Sequence, residues 1–338
     1  MLSSVGILVA ALAAAPAFAD LGKSSLFPDG LHDPLIAFDT IKTPSSTNRP
    51  SSVPDVCKQY ATGPAYGYDG DVQCDVANIE AREVFYEDCE QSWTICRCPD
   101  ANMNLDQLEE RFGQVPPGIR SYVGAILATS AGGCSAVTLD GTFVRYHGDC
   151  QMTVFLHESG HAFDSGFSST QGWNDAISAS SCVPDGYANT NPVEDWTQVN
   201  VLYTYTKQFG PLPADPSCLQ PQLDQLANDQ RINEAQDTKT CLPDKRPFTT
   251  PNDQAPPEPA STEAPAPPAP TSTEAPAPPL STEAPAPPTS TEAPAPPPTS
   301  APGSCNSAKF RFRNKVKRAY QIASNFIGKH TVTVPYSG

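Results

Sequence analysis

Positive charge is scarce in this chain. Over 338 residues, 21 Lys and Arg stand against 37 Asp and Glu, a net charge of −16. A phosphate backbone would be repelled by such a body, which argues against nucleic acid as its partner. No apolar run of eighteen or more residues occurs after the first twenty, so a polytopic membrane protein is excluded as well. Asn-x-Ser/Thr sequons are absent throughout, so any attached sugar is expected to be O-linked. Large apolar side chains are reduced to the single Leu280 between Pro251 and Gly303, where 19 prolines fall. Such a stretch cannot offset the entropy of ordering itself and lies outside any core. Histidine is rare too, with five in all, and two of them sit four residues apart.

What is present divides the chain into four parts. Residues 1–19 read as a signal peptide: an apolar Val5–Ala15 core, helix-breaking Pro16, and the small-x-small Ala17-Phe18-Ala19 that a signal peptidase needs. Residues 20–250 hold ten of the eleven cysteines, an even number that in an exported protein means a disulfide framework of up to five bridges. Cys96 and Cys98 are spaced too tightly for a zinc knuckle and read as disulfide partners. Residues 251–303 carry four near-copies of Ser-Thr-Glu-Ala-Pro-Ala-Pro-Pro, starting at Ser261, Ser272, Ser281 and Ser290. Each copy has nothing to bury, so the tract reads as an extended, O-glycosylated spacer. Residues 304–338 have seven basic side chains and no acidic one, interleaved with Phe310, Phe312, Val316, Tyr320, Ile322 and Phe326. This tail reads equally as a basic amphipathic helix for an anionic surface, such as cell-wall polymer, or as a solvated tail.

Within the cysteine-bearing part, Asp20 to Val56 shows no periodicity and is open between leader, wrapped loop and propeptide. Ile79, Val84, Phe85 and Trp93 recur at helical spacing over 76–96, and Leu105–Phe112 predicts a short helix. Residues 118–128 are apolar and ambiguous. Val137–Leu139, Asp140-Gly141 and Thr142–Tyr146 predict a hairpin, because Asp-Gly supplies the positive φ of a tight turn. Helices are expected over Cys150–Asp164, over Pro192–Phe209 behind an Asn191 cap, and over Gln222–Asn233. The expected fold class is α+β, with a small mixed or antiparallel sheet against the 150–164 helix and a mostly helical second half.

The chemistry lies in His157-Glu158-Ser159-Gly160-His161. On a helix, positions i and i+4 share a face, so both imidazoles can reach one Zn²⁺ ion. Glu158 beside them can take a proton from water at the metal. A histidine six residues after His161 is lacking, that place being Phe167. The third ligand is therefore expected among Asp164, Asp175, Asp185, Glu194 and Asp195. Glu194, in the first turn of the second long helix, can either be aimed at the metal or close a capping box with Asn191. Asp195 would favour the positive end of that helix.

The motif followed by Tyr187-Ala188, five residues, and Glu194-Asp195-Trp196 resembles the glutamate-zincin pattern of the anthrax lethal-factor type. That resemblance implies a zincin-like metallopeptidase domain over 20–250, with His157, His161 and Glu194 as zinc ligands and Glu158 as general base. It also implies that Tyr187 donates a hydrogen bond to the developing oxyanion. Residues 50 to 245 are also similar to secreted fungal conidiation-specific proteins and candidate fungal peptidases. The aspartate-zincins share the helix motif, but their Gly-Thr-x-Asp-x-x-Tyr-Gly signature is absent; the nearest segment, Pro184–Tyr187, leaves Asp185 as an alternative ligand. Gln198 stands where thermolysin-type enzymes have an Asp that orients a histidine, leaving Asp164 or Asp195 to supply that support.

The expectation is a secreted, monomeric, zinc-dependent endopeptidase acting on protein or peptide substrates. The alternative is a cell-surface or developmental protein that keeps the zinc helix without catalysis on its glycosylated stalk. A third possibility makes the basic tail the effector and the acidic domain its cargo.

Overall fold

A computed structural model describes residues 20–64 and 71–247. The signal peptide, the proline-rich tract, the basic tail and Cys305 lie outside the described residues. The strands are β1 (Ser24–Phe27), β2 (Ser46–Pro50), β3 (Thr62–Pro64), β4 (Asp71–Gln73), β5 (Glu80–Tyr86), β6 (Trp93–Arg97), β7 (Ala125–Thr129), β8 (Ser135–Leu139), β9 (Phe143–His147) and β10 (Cys182–Asp185). The helices are α1 (Asp55–Tyr60), α2 (Leu105–Gln114), α3 (Pro117–Arg120), α4 (Met152–Asp164), α5 (Gln171–Ala179), α6 (Pro192–Phe209), α7 (Gln220–Asn228) and α8 (Gln230–Asp237). The fold is α+β, with the strands concentrated before residue 148 and the helices after it.

Six strands form one mixed sheet in the order β2-β5-β6-β7-β9-β8. Its centre is parallel, β6 to β7 to β9, and its flanks are antiparallel. The expected hairpin is β8–β9, turned at Asp140 (φ 49°) and Gly141 (φ 69°). Alternation along β9 sends Phe143 and Arg145 to one face and Tyr146 to the other. On the first face Phe143 meets Tyr60 of α1, ring centroids 4.9 Å apart, and Arg145 donates to the carbonyls of Tyr60 (2.8 Å) and Thr62 (3.3 Å). On the second, Tyr146 stacks on Phe155 of α4 at 4.1 Å. The helix bearing the histidine pair thus lies against the sheet, with α2, α3 and α6 around it. Every residue of α4 from Met152 to Phe163 is buried, as expected of a helix enclosed on all sides.

Two expectations are corrected, and two segments the sequence left open take definite structure. Beyond a single 3-10 turn at Val76–Asn78 the segment 76–96 is not helical: β5 and β6 pair as a hairpin, with Val84 opposite Trp93. Its β-branched and aromatic residues fill the sheet face, and tertiary pairing overrides a period that fits both readings. Two helices replace the single one over 222–233, because Asp229 ends α7 and caps α8 through Ile232 N. The N-terminal segment, left open by the sequence, is built into the fold, since β1 pairs in parallel with β10 and β2 pairs antiparallel with β5. The ambiguous 118–128 stretch becomes the end of α3 followed by β7.

All ten cysteines of this part are bridged: Cys57–Cys96, Cys74–Cys98, Cys89–Cys241, Cys134–Cys150 and Cys182–Cys218. Such density fits an oxidising compartment. Among the described residues no helix is long and apolar enough to cross a membrane. Cys134–Cys150 spans the β8–β9 hairpin and fixes the entry to α4, with a sequence separation of 16. Loop-closure entropy for a loop of that size is about 3 kcal/mol. Replacing both cysteines by alanine is expected to lower the unfolding free energy by about that amount, read from urea denaturation under non-reducing conditions.

Candidate metal centre

Two helices and one turn build the site. His157 and His161 lie one turn apart on α4, their rings 4.6 Å apart and nearly perpendicular. Helix α6 packs across them. At Gly160 the seam is close but not sterically reserved for glycine, since a Cβ there would stand 3.4 Å from both Asn200 Nδ2 and Thr197 Cγ2, an ordinary contact distance. Asn191 caps α6, its Oδ1 accepting from Val193 N (2.9 Å) and Glu194 N (3.1 Å). The Glu194 carboxylate is thereby left to turn inward, and no capping box forms. Its Oε2 lies 3.2 Å from His157 Nε2 and 3.2 Å from His161 Nε2, while the two nitrogens are 3.0 Å apart.

Those three distances suit a divalent cation. Tetrahedral ligands at about 2.0–2.1 Å from a zinc ion stand about 3.3–3.4 Å from one another. Three electron-rich atoms at nearly that separation repel one another unless a cation or a shared imidazole proton lies between them. Two imidazoles and a carboxylate are also the donor set zinc prefers. All three side chains are buried, with 0%, 2% and 1% exposure for His157, His161 and Glu194. Burial alone would raise the Glu194 carboxyl, but the facing His161 and His157 rings bring it down to about 2.

Glu158 is wholly buried. Its Oε2 lies 2.8 Å from Thr138 Oγ1 on β8, and its Oε1 has no hydrogen-bond partner among the described residues. Burial pushes its carboxyl up to about 7, against the lowering effects of His157 and Thr138. Tyr187 sits in the short turn between β10 and α6, its ring centroid 5.5 Å from that of His157.

The other acids are elsewhere or otherwise engaged. Asp164 accepts from Ser168 N (2.7 Å) and Ser168 Oγ (2.6 Å), and Asp175 accepts from Gln171 Nε2 (2.8 Å). Asp185 is not placed as a ligand. Its Oδ1 accepts from Tyr187 N (3.0 Å) and Ala188 N (2.8 Å), and its Oδ2 from Gln198 Nε2 (2.7 Å). Gln198 Oε1 in turn lies 3.3 Å from His157 Nδ1. Support for His157 therefore comes from Gln198 itself and not from Asp164 or Asp195. The sequence signal was available, since Glu194 and Gln198 are four residues apart on one helix face. Thr138 offered no such signal.

Asp195 is buried against Gln222, whose Nε2 donates to its Oδ2, while its Oδ1 has no hydrogen-bond partner among the described residues. Burial holds this carboxyl well above its ordinary range. A carboxyl raised on folding costs nothing below its unfolded value of about 3.9 and destabilises progressively as pH rises past it. Asp195→Asn keeps the shape without a proton to lose. Its zinc-free form is expected to melt above the parent at neutral pH, the difference closing toward about pH 4; a pH series of melting curves checks this.

The profile of a known family, conidiation-specific protein Con-13, matches residues 40–243. The chain belongs to the Con-13 family. The matched range takes in all ten bridged cysteines, both histidines of the motif, Glu158, Tyr187 and Glu194. Conidiation-specific protein 13 of Neurospora crassa is 31% identical over 160 residues, covering 43% of this chain and 47% of the relative. The chain thus spans about half the length of the curated relative it matches. No solved structure matches. The expected likeness to conidiation-specific proteins holds, and the family's description names no reaction.

Proposed function

We propose that this Con-13 protein is a secreted zinc metallopeptidase of zincin-like fold. One observation carries the reading: His157, His161 and Glu194 present three ligand atoms within 3.0–3.2 Å of one another, and Glu158 with an unpartnered oxygen is next in sequence to His157. A zinc ion held there would supply Lewis acidity toward a peptide carbonyl and acidify a bound water.

The chain's own groups would do the rest. Glu158 Oε1 is the acceptor for the nucleophile's proton, which it would then pass to the departing amine nitrogen. Thr138 would keep the other oxygen occupied and the carboxylate oriented. Tyr187, held on the turn beside His157, is the candidate donor to the developing oxyanion. The buried surroundings would strengthen each of these interactions by excluding water.

Zinc content of the purified full chain, with protein hydrolysis measured before and after chelation, tests the proposal. One zinc per chain and chelator-sensitive cleavage support it; a protein that takes up no zinc ends it. The near-complete burial of all three ligands favours a second reading, in which the zinc helix is structural. In that case chelation unfolds the protein and no hydrolysis is detected at any zinc load.

A further inference from the structure

We propose that Asp185, acting through Gln198, decides which nitrogen of His157 carries the proton, so that the nitrogen facing Glu194 and His161 keeps its lone pair for a metal. This rests on the zinc reading above and assigns Asp185 and Gln198 as positioning residues.

An ionised carboxylate can only accept hydrogen bonds. Asp185 Oδ1 is taken by the backbone N–H groups of Tyr187 (3.0 Å) and Ala188 (2.8 Å), which leaves Oδ2 toward Gln198 at 2.7 Å. A side-chain amide has one donating end and one accepting end. Facing an acceptor-only oxygen, Gln198 must present its NH₂ to Asp185 and its carbonyl oxygen to His157 Nδ1, 3.3 Å away. An acceptor at Nδ1 calls for the N–H there. A neutral imidazole has one N–H, so Nε2 is bare, 3.2 Å from Glu194 and 3.0 Å from His161 Nε2.

Neither Asp185 nor the amide has much freedom to choose otherwise. Asp185, Gln198 and His157 are 2%, 0% and 0% exposed, so bulk water cannot take the place of a misplaced partner. Asp185 is further fixed by β10, where it pairs with Phe27 of β1. The same carboxylate holds the turn that carries Tyr187, so one side chain sets both the ligand's proton and the tyrosine's backbone.

Asp185→Asn separates proton placement from shape. The new amide oxygen can keep both turn N–H groups, but its NH₂ then confronts Gln198 and donates. Gln198 must flip, its NH₂ now points at His157 Nδ1, and the imidazole proton is driven onto Nε2. Adding Gln198→Glu restores an acceptor for both neighbours and returns the proton to Nδ1. Zinc affinity of the full-length proteins, by competition with a chromogenic chelator, reads the difference, with melting of the zinc-free forms as control. Asp185→Asn should bind zinc about 10–100-fold more weakly. The double variant should return to within a few-fold of the parent. Unchanged affinity in Asp185→Asn, or a double variant as weak as the single, overturns the proposal. Should Asp185→Asn not fold, Gln198→Met decides: it keeps the chain length and offers His157 no acceptor, so affinity reduced roughly 10-fold supports the relay and unchanged affinity overturns it. A parent protein that takes up no zinc instead overturns the zinc reading, and the relay falls with it.

Discussion

Glu158→Gln is expected to lower kcat for peptide hydrolysis by about 10²–10⁴-fold, with zinc content and KM near those of the parent. The substitution keeps the length and planarity of the side chain. It also keeps an oxygen or NH₂ in reach of Thr138 Oγ1, which stands 2.8 Å from Oε2. What it removes is the ability of Oε1 to accept and return a proton in a site where no other partner meets that oxygen among the described residues. Steady-state kinetics with zinc analysis on the same preparation check it. Activity that survives the change would show that Glu158 is not the base. Activity lost together with zinc would show that it helps hold the metal instead.

Glu194→Ala should remove the response of the protein to zinc altogether. The parent, with zinc at a thousand times its dissociation constant, is stabilised by about 4 kcal/mol. For a domain of this size that is about 8–16 °C in melting temperature, lost on adding a chelator. The variant retains two imidazoles 3.0 Å apart but not the carboxylate that completes the triangle, so chelation should leave its melting curve where it was. Asn191 still accepts from Val193 N and from the backbone N–H at position 194, so the cap of α6 survives and does not confound the reading. A chelator shift of parental size in Glu194→Ala would place the third ligand elsewhere and dismantle the site as described.

The two long helices of the site were legible because each carries its own boundaries. Asn191 and Pro192 open α6, and Ser165 (φ 51°) with Gly166 (φ 83°) closes α4. The hairpin before α4 was legible for the same reason, its Asp-Gly turn being a local demand of the backbone. The 76–96 segment was not. Its spacing fits a helix, and what makes it β5 and β6 is the neighbouring strands β2 and β7, more than 20 residues away in the chain. Helix α5 and strand β10 went unforeseen. Each depends on a distant partner, α7 for the helix and β1 for the strand.

The histidine pair with its neighbouring glutamate, the ten cysteines of residues 20–250 and the acidic, proline-punctuated layout are written in linear order, because spacing along one chain expresses them. That Glu194 meets the two rings, that Asp185 stands behind Gln198 and not beside Glu194, and which cysteine joins which came from the folded chain alone. Those choices rest on how α4, α6 and β10 cross in space, and a crossing is set by packing among residues far apart in sequence, which no local pattern records.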